Sequence, residues 1–233
     1  MFKHRSQEKE TMDDLNCSGE VVDQTLRELE LINNWLGGNR VTLNGLDRVI
    51  NNTDSKNLRI ADLGCGSGST LKMISNWASK KNKQVDLTGI DANPNIVEYA
   101  RRNCKPYPQI KFQALDVFSS EFKPQTYDIV IATLFTHHFS NEQLVRLLKQ
   151  LLDQTTTAII INDIHRHWIA YYSIKMITSL LSKSPMVKND GPISVLRAFK
   201  ESDWSEILSE AEITNYSLNW MWAFRWQLVI YTN

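Results

Sequence analysis

Three groups of residues have the types and spacing to do chemistry. The first is the run Ile60-Ala61-Asp62-Leu63-Gly64-Cys65-Gly66-Ser67-Gly68-Ser69, in which apolar residues give way to a glycine-rich turn. Glycines let a backbone turn sharply and approach a ligand closely. A turn between a buried strand and a helix is where nucleotide-like ligands bind parallel sheets. The second is Asp91, in Leu87-Thr88-Gly89-Ile90-Asp91-Ala92-Asn93-Pro94. At the end of the next strand its carboxylate can accept hydrogen bonds from both hydroxyls of a ribose. Asn93, just before Pro94, suits a helix cap, which leaves Asp91 free for a ligand. The third is histidine: His137 and His138 in Thr133-Leu134-Phe135-Thr136-His137-His138-Phe139, and His165 and His167 in Asn162-Asp163-Ile164-His165-Arg166-His167-Trp168. Histidine titrates near neutral pH and serves as a proton acceptor.

The elements that must hold these groups read as alternating strands and helices. Short apolar runs at Leu58–Leu63, Val85–Asp91, Ile110–Leu115, Tyr127–Thr133 and Thr157–Asp163 predict strands, with helices over Ser69–Ser79, Pro94–Asn103 and Asn141–Asp153. Two last strands are predicted around Thr214–Trp220 and Arg225–Tyr231, after a helix over Ser202–Ala211. The expected fold is a doubly wound α/β fold. Its seven-stranded sheet is mostly parallel with an antiparallel last strand, and it carries N-terminal helices and a helical insertion after strand five. Residues 1–19 are polar and without period, and read as a flexible N-terminus. Apolar steps of three and four predict a helix from Val21 to Leu36 that Gly37 and Gly38 stop, and a second over Val41–Ile50. Residues 20–56 thus form a helical cap ahead of a main domain over 57–233, with 51–57 as a polar connector. Trp168–Leu181 reads as a helix and Ser182–Gly191 as a polar lid, inside an insertion over about 164–200.

The glycine spacing is G-x-G-x-G rather than the G-x-G-x-x-G of a dinucleotide turn, and Asp62 just before it would repel a pyrophosphate. Here the chain resembles the class I (Rossmann-like) S-adenosylmethionine-dependent methyltransferases. The resemblance implies that Asp62 and the backbone of Gly64, Cys65, Gly66 and Gly68 hold the amino-acid part of S-adenosylmethionine. It implies further that Asp91 and Ala92 meet the ribose, that Asp116 and Val117 meet the adenine, and that Thr133 ends the fourth strand beside the cofactor. Binding of NAD is the competing expectation.

The segment after strand four lacks the [DN]-P-P-[YF] motif of enzymes that methylate nucleic-acid bases, and looks like the small-molecule, quinone-biosynthesis type. By that resemblance it faces the methyl group and the acceptor, with S-adenosylhomocysteine as the product. His137, His138 and His165 are the base candidates, and Asp163 is a chemically sensible orienter for His165. O-methylation of a small apolar or phenolic metabolite is favoured, with C-methylation of the quinone type or a cofactor-binding protein without catalysis as alternatives. Trp35, Tyr171, Tyr172, Trp204, Trp220, Trp222 and Trp226 could line an aromatic pocket, with core packing preferred for Trp220 and Trp226. Arg197 could meet an acidic substrate or simply be solvated.

Some catechol methyltransferases hold a divalent metal with two Asp and an Asn. Asn162 and Asp163 offer part of that set, but the Thr136–Asn141 segment has no second Asp and no cysteine joins the histidines. No metal is expected. The charge is balanced at 26 basic against 26 acidic residues, so no nucleic-acid partner is expected. Cys17, Cys65 and Cys104 are an odd set without metal spacing, which suits a reducing, cytoplasmic compartment. The apolar stretch Ile164–Leu181 carries His165, Arg166, His167 and Lys175 and is too polar for a membrane span.

Overall fold

The strands run five to ten residues, and the apolar central ones, β1, β4 and β5, are covered on both faces. The computed structural model describes residues 1–50 and 57–232. The connector expected over 51–57 falls, except for Asn57, outside the described residues. The strands are β1 (Asn57–Leu63), β2 (Gln84–Asp91), β3 (Ile110–Ala114), β4 (Tyr127–Thr133), β5 (Thr155–Ile164), β6 (Tyr216–Met221) and β7 (Arg225–Tyr231). They form one seven-stranded sheet in the order β3-β2-β1-β4-β5-β7-β6. The five from β3 to β5 are parallel; β7 pairs antiparallel with both β5 and β6.

The helices are α1 (Glu20–Trp35), α2 (Gly38–Ile50), α3 (Ser69–Lys80), α4 (Pro94–Asn103), α5 (Asn141–Gln154), α6 (Trp168–Leu181), α7 (Pro185–Arg197) and α8 (Glu201–Glu210). On one face of the sheet, Leu144, Leu147, Leu148 and Leu151 of α5 and Trp204, Ile207 and Leu208 of α8 bury against Leu63, Val130 and Ile159. On the other, Leu46 and Val49 of α2 and Leu71 and Ile74 of α3 pack on Ile60, Ile131 and Ile160. The three- and four-residue spacing of each helical set is what puts it on one face. A smaller cluster joins Val22 and Leu26 of α1 to Ile96 and Tyr99 of α4 and Met186 of α7. It ties the N-terminal helix to the insertion.

Two segments differ from their sequence reading. The residues read as a polar lid over Ser182–Gly191 mostly belong to α7, capped by Ser184, whose side chain accepts from the Val187 N–H, with Pro185 opening the first turn. Residues 1–19 are laid across the carboxyl edge of the sheet. There Thr11 N–H, Thr11 Oγ1 and Met12 N–H donate to the Asp190 carboxylate at 2.8, 2.9 and 3.1 Å. These polar residues pair with each other at long range, which local polarity does not reveal. Gly37, in the left-handed region at φ +74°, separates α1 from α2, but Gly38 already begins α2.

Candidate active site

β1 and β4 are neighbours where the strand order reverses, so the turns leaving their carboxyl ends open into one crevice. Gly64, Gly66 and Gly68 all have left-handed φ, at +65°, +50° and +76°. A Cβ on Gly64 would lie 2.2 Å from the Phe135 ring, and one on Gly68 would lie 2.6 Å from Cys104 Sγ. Conformation and neighbours both demand glycine there. At the end of β4, Leu134 takes φ +54°, which costs a non-glycine residue about 1–2 kcal/mol, and its N–H is held by the Asn162 carbonyl at 2.8 Å.

A cavity of about 1280 Å³ lies over these turns. Gly64, Cys65 and Gly66 line it, with Asp91, Ala92, Asp116, Val117 and Thr133 on the neighbouring strand ends. Asp62 and Gly68 do not: Asp62 is 1% exposed beneath the turn, and Gly68 caps α3. Burial, reinforced by Asp91, pushes Asp62 up to about 8, and its Oδ1 has no hydrogen-bond partner. Burial also raises Asp91, against N–H bonds from Asn93 at 3.0 Å and Gly66 at 3.3 Å. Asn93 caps α4 through the Asn95 N–H at 2.9 Å, as its spacing suggested. A half-buried carboxylate on the cavity wall beside a glycine turn, backed by a buried carboxyl with an orphaned oxygen, suits a ligand rich in ammonium and hydroxyl donors. These residues fit the amino-acid and ribose parts of S-adenosylmethionine. Asp116, exposed after β3, turns its own loop by accepting the Phe118 N–H at 2.9 Å.

The histidine pair sits in a single helical turn, Thr136–His138, on the cavity wall. Asp163, fully buried at the end of β5, gathers this turn. It accepts from Thr136 Oγ1 at 2.6 Å, from His137 N–H at 3.1 Å and from Ile164 N–H at 2.7 Å, and it meets His137 Nδ1 at 2.7 Å. Burial alone would raise its pKa, but His137 and these donors hold it well below the carboxylate range. Asp163 is therefore the partner of His137, not of His165 as expected. His138 Nδ1 meets Asp13 at 2.6 Å, so each histidine has its own carboxylate.

Asp13 comes from the N-terminal segment, where sequence reasoning found nothing. Arg5, Glu10 and Asp13 all lie on that strap. Arg5 donates to the carbonyls of His137, Phe139 and Arg197 and to Asn141 Oδ1. Arg197, 6% exposed, is neither solvated nor free for an acidic substrate: it donates to the His137 and His138 carbonyls at 3.2 and 2.7 Å and pairs with Asp13 at 2.5 Å. Glu10 faces His137 Nε2 at 3.5 Å, and its Oε1 has no hydrogen-bond partner. Burial pushes it up to about 7, against His138 and Arg197. Glu10, His137 and His138 each bring a ligand-capable atom within 4.8 Å of the others. Arg197 Nη1, 3.7 Å from Glu10 Oε1, already supplies a fixed cation, so the set reads as an ion-pair network rather than a metal centre.

His165 stands apart from the cavity lining. Its Nδ1 accepts the Trp220 indole N–H at 3.1 Å, and burial with His167 and Arg166 nearby pushes it down to about 4. His167 caps α6 through the Ile169 N–H. Asn162, considered as a metal ligand, instead binds the Gly38 carbonyl and Thr42 Oγ1. Of the aromatic residues, Trp222 lines the cavity, while Trp204 and Trp226 are core. Trp220, expected in the core, is 47% exposed, and Trp35 and Tyr172 face outward. The apolar walls come instead from Leu29 and Ile32 of α1, Ile174 and Ile177 of α6, and Phe135 and Phe139.

Comparison with known proteins finds its likeness in the half of the chain that carries these turns. Residues 60–156 match the family described as methyltransferase domain. The chain is 36% identical over 86 residues to the non-reducing polyketide synthase tazA of Aspergillus terreus, covering 36% of this chain and 3% of that protein. It is 34% identical over 94 residues to the probable tRNA methyltransferase 9B of Bos taurus, covering 40% of this chain and 18% of the other. The chain thus spans a small part of the length of these curated relatives. Among solved structures, the plantazolicin methyltransferase BpumL in complex with SAH aligns with a TM-score of 0.65 at 19% identity, covering 91% of this chain and 94% of that one. Human N-acetylserotonin methyltransferase in complex with SAM aligns with a TM-score of 0.63 at 16% identity, covering 90% and 55%. The chain has the class I S-adenosylmethionine-dependent methyltransferase fold, and residues 60–156 of it are similar to the methyltransferase domain family.

Proposed function

We propose that the protein transfers the methyl group of S-adenosylmethionine to a hydroxyl oxygen of a small, apolar or phenolic acceptor. The observation that carries this reading is the pair of carboxylate-held histidines on the wall of the same cavity that the glycine turn, Asp91 and Asp116 line. When bound, S-adenosylmethionine supplies an electrophilic methyl on a sulfonium. The chain's own residues supply the rest. Gly64, Cys65 and Gly66 hold the amino-acid part, with Asp62 buried beneath the turn, Asp91 and Ala92 hold the ribose, and Asp116 and Val117 the adenine, with Thr133 alongside.

His138 takes the acceptor's proton. Asp13 on Nδ1 fixes the tautomer and leaves Nε2 as the accepting atom, on a side chain still 26% exposed. Both nitrogens of His137 face carboxylates, Asp163 and Glu10, so it acts as a positioning residue. α1 and the 164–200 insertion roof the acceptor and exclude water. All three cysteines are free thiols, in keeping with a reducing, cytoplasmic setting.

Transfer to carbon is the second reading, favoured by the likeness in fold to the citrinin polyketide synthase CMeT domain (TM-score 0.57, 16% identity). Turnover of methyl-labelled S-adenosylmethionine with a panel of phenols, followed by carbon NMR of the product, distinguishes a methoxy from a ring methyl. His138→Ala should lower kcat by roughly 10²–10⁴-fold with cofactor affinity unchanged. A fully active variant refutes the assignment of the base.

A further inference from the structure

Helix α6 is amphipathic in an unusual sense, because it turns apolar residues both ways. Its inner face lines the cavity with Ala170, Ser173, Ile174 and Ile177. Its outer face carries Trp168, Tyr172, Met176 and Leu180, at steps of four residues, all 56–74% exposed, with Ile169 beside them. The β6–β7 hairpin extends the patch. Trp222 is 73% exposed, and the neighbouring Phe224 stacks on His167, which itself stacks on Trp168. A folded chain gains nothing by presenting such a stripe to water.

The charges around it say what covers it. From Ile164 to Asn189 the chain has no acidic residue, while Lys175, Lys183 and Lys188 are exposed. The acids that reach this segment are already engaged: Glu28 with Ser182 Oγ and the N–H groups of Lys183 and Ser184, Asp203 with Arg166, Asp163 with the Ile164 N–H, and Asp190 with Asn189. A second copy docked symmetrically would bring the same lysines to the shared interface with no acid of the stripe to pair them. An anionic bilayer surface complements all three. Trp and Tyr, with one apolar and one polar end, are the side chains that settle at the level of lipid headgroups. At 14 residues α6 is too short to span a bilayer, so it lies along the surface.

We infer that the outer face of α6 and the β6–β7 hairpin dock the protein on an anionic membrane surface, with the cavity wall facing the lipid. An apolar acceptor dissolved in the bilayer then reaches the cavity past the same helix. That route rests on the proposed acceptor class; the docking itself does not.

The test uses the full chain and two kinds of vesicle, phosphatidylcholine alone and phosphatidylcholine mixed equally with phosphatidylglycerol. Wild type should sediment with the anionic vesicles. The variant carrying Trp168→Ser, Tyr172→Ser, Met176→Ser and Leu180→Ser should bind about tenfold more weakly or less, with an unchanged melting temperature. Lys175→Glu with Lys183→Glu and Lys188→Glu, which leaves the apolar stripe intact, should also abolish the preference for anionic lipid. Wild type left in the supernatant with both vesicles overturns the inference, as does undiminished binding by both variants. Sedimentation velocity shows whether wild type is a dimer that the serine variant dissociates; that result would assign the stripe to a second copy. None of these readouts depends on methyl transfer, so they fail or succeed independently of the proposed reaction.

Discussion

On the cavity side formed by β1 and β2, burial holds the carboxyls of Asp62 and Asp91 above their ordinary range, and one oxygen of Asp62 is unpartnered. On the side formed by β4, β5, α7 and the N-terminal strap, Asp163 and Asp13 lie well below that range despite their burial. Histidine, hydroxyl, backbone and arginine donors surround them. In the first pair Asp62 keeps an unpartnered oxygen and Asp91 is met only by the Asn93 and Gly66 N–H groups; the second pair is met by charged and hydroxyl donors of the chain. The two sides of the cavity can therefore be told apart by which way burial is answered. Glu10 is the exception on this second side, raised to about 7 by burial, with Oε1 lacking a hydrogen-bond partner.

The largest effect that would break this contrast is at Asp163. Asp163→Ala leaves four donors without their acceptor, three of them in the Thr136–His138 turn, and should destabilise the protein by about 3–5 kcal/mol in denaturant titration. Because its folded pKa is depressed, its contribution is present above the unfolded value of 3.8 and lost as pH falls below it. An Asp163→Ala variant as stable as wild type would mean the network is ornamental.

Asp62 should behave oppositely. Its pKa is raised from 3.8 to about 8, so between those values the folded state keeps a proton that the unfolded chain has released, and stability falls as pH rises. Asp62→Asn removes that slope and should be more stable than wild type at pH 8 by on the order of 2 kcal/mol, read by thermal denaturation. A steep loss of stability would instead show that Asp62 has an internal partner. Asp91→Ala should cost about 1–3 kcal/mol in affinity for S-adenosylhomocysteine with little change in melting temperature. Asp116→Asn, at an exposed position, is the mildest change and should weaken binding by about 1 kcal/mol or less.

The conformation of the β1–β2 side was legible because its signals are local. The glycine turn, Asp91 with Asn93-Pro94, and the strand ends all lie within short stretches whose composition dictates their conformation. β4, α4 and α6 keep the bounds their periodicity gives, since apolar spacing and caps decide them. The side formed by β4, β5, α7 and the N-terminal strap depends on pairs far apart in sequence, such as Asp13 with His138 and Thr11 with Asp190. A polar N-terminus without period carries no mark of such partners, so it reads as flexible. The partner of Asp163 was misassigned to His165 for the same reason. Proximity in sequence favoured His165, while the β4–β5 register brings the turn after Thr133 over Asn162 and so gives Asp163 to His137. Exposure of Trp220 was equally invisible, because an edge strand and a buried one share the same aromatic content.

Calorimetric titration of the wild-type chain, and of Asp91→Ala, with S-adenosylhomocysteine and with NAD tests the central claim most directly. The account predicts saturable binding of S-adenosylhomocysteine by wild type, weakening of about tenfold or more in the variant, and no heat from NAD. Binding of NAD in preference to S-adenosylhomocysteine would contradict it.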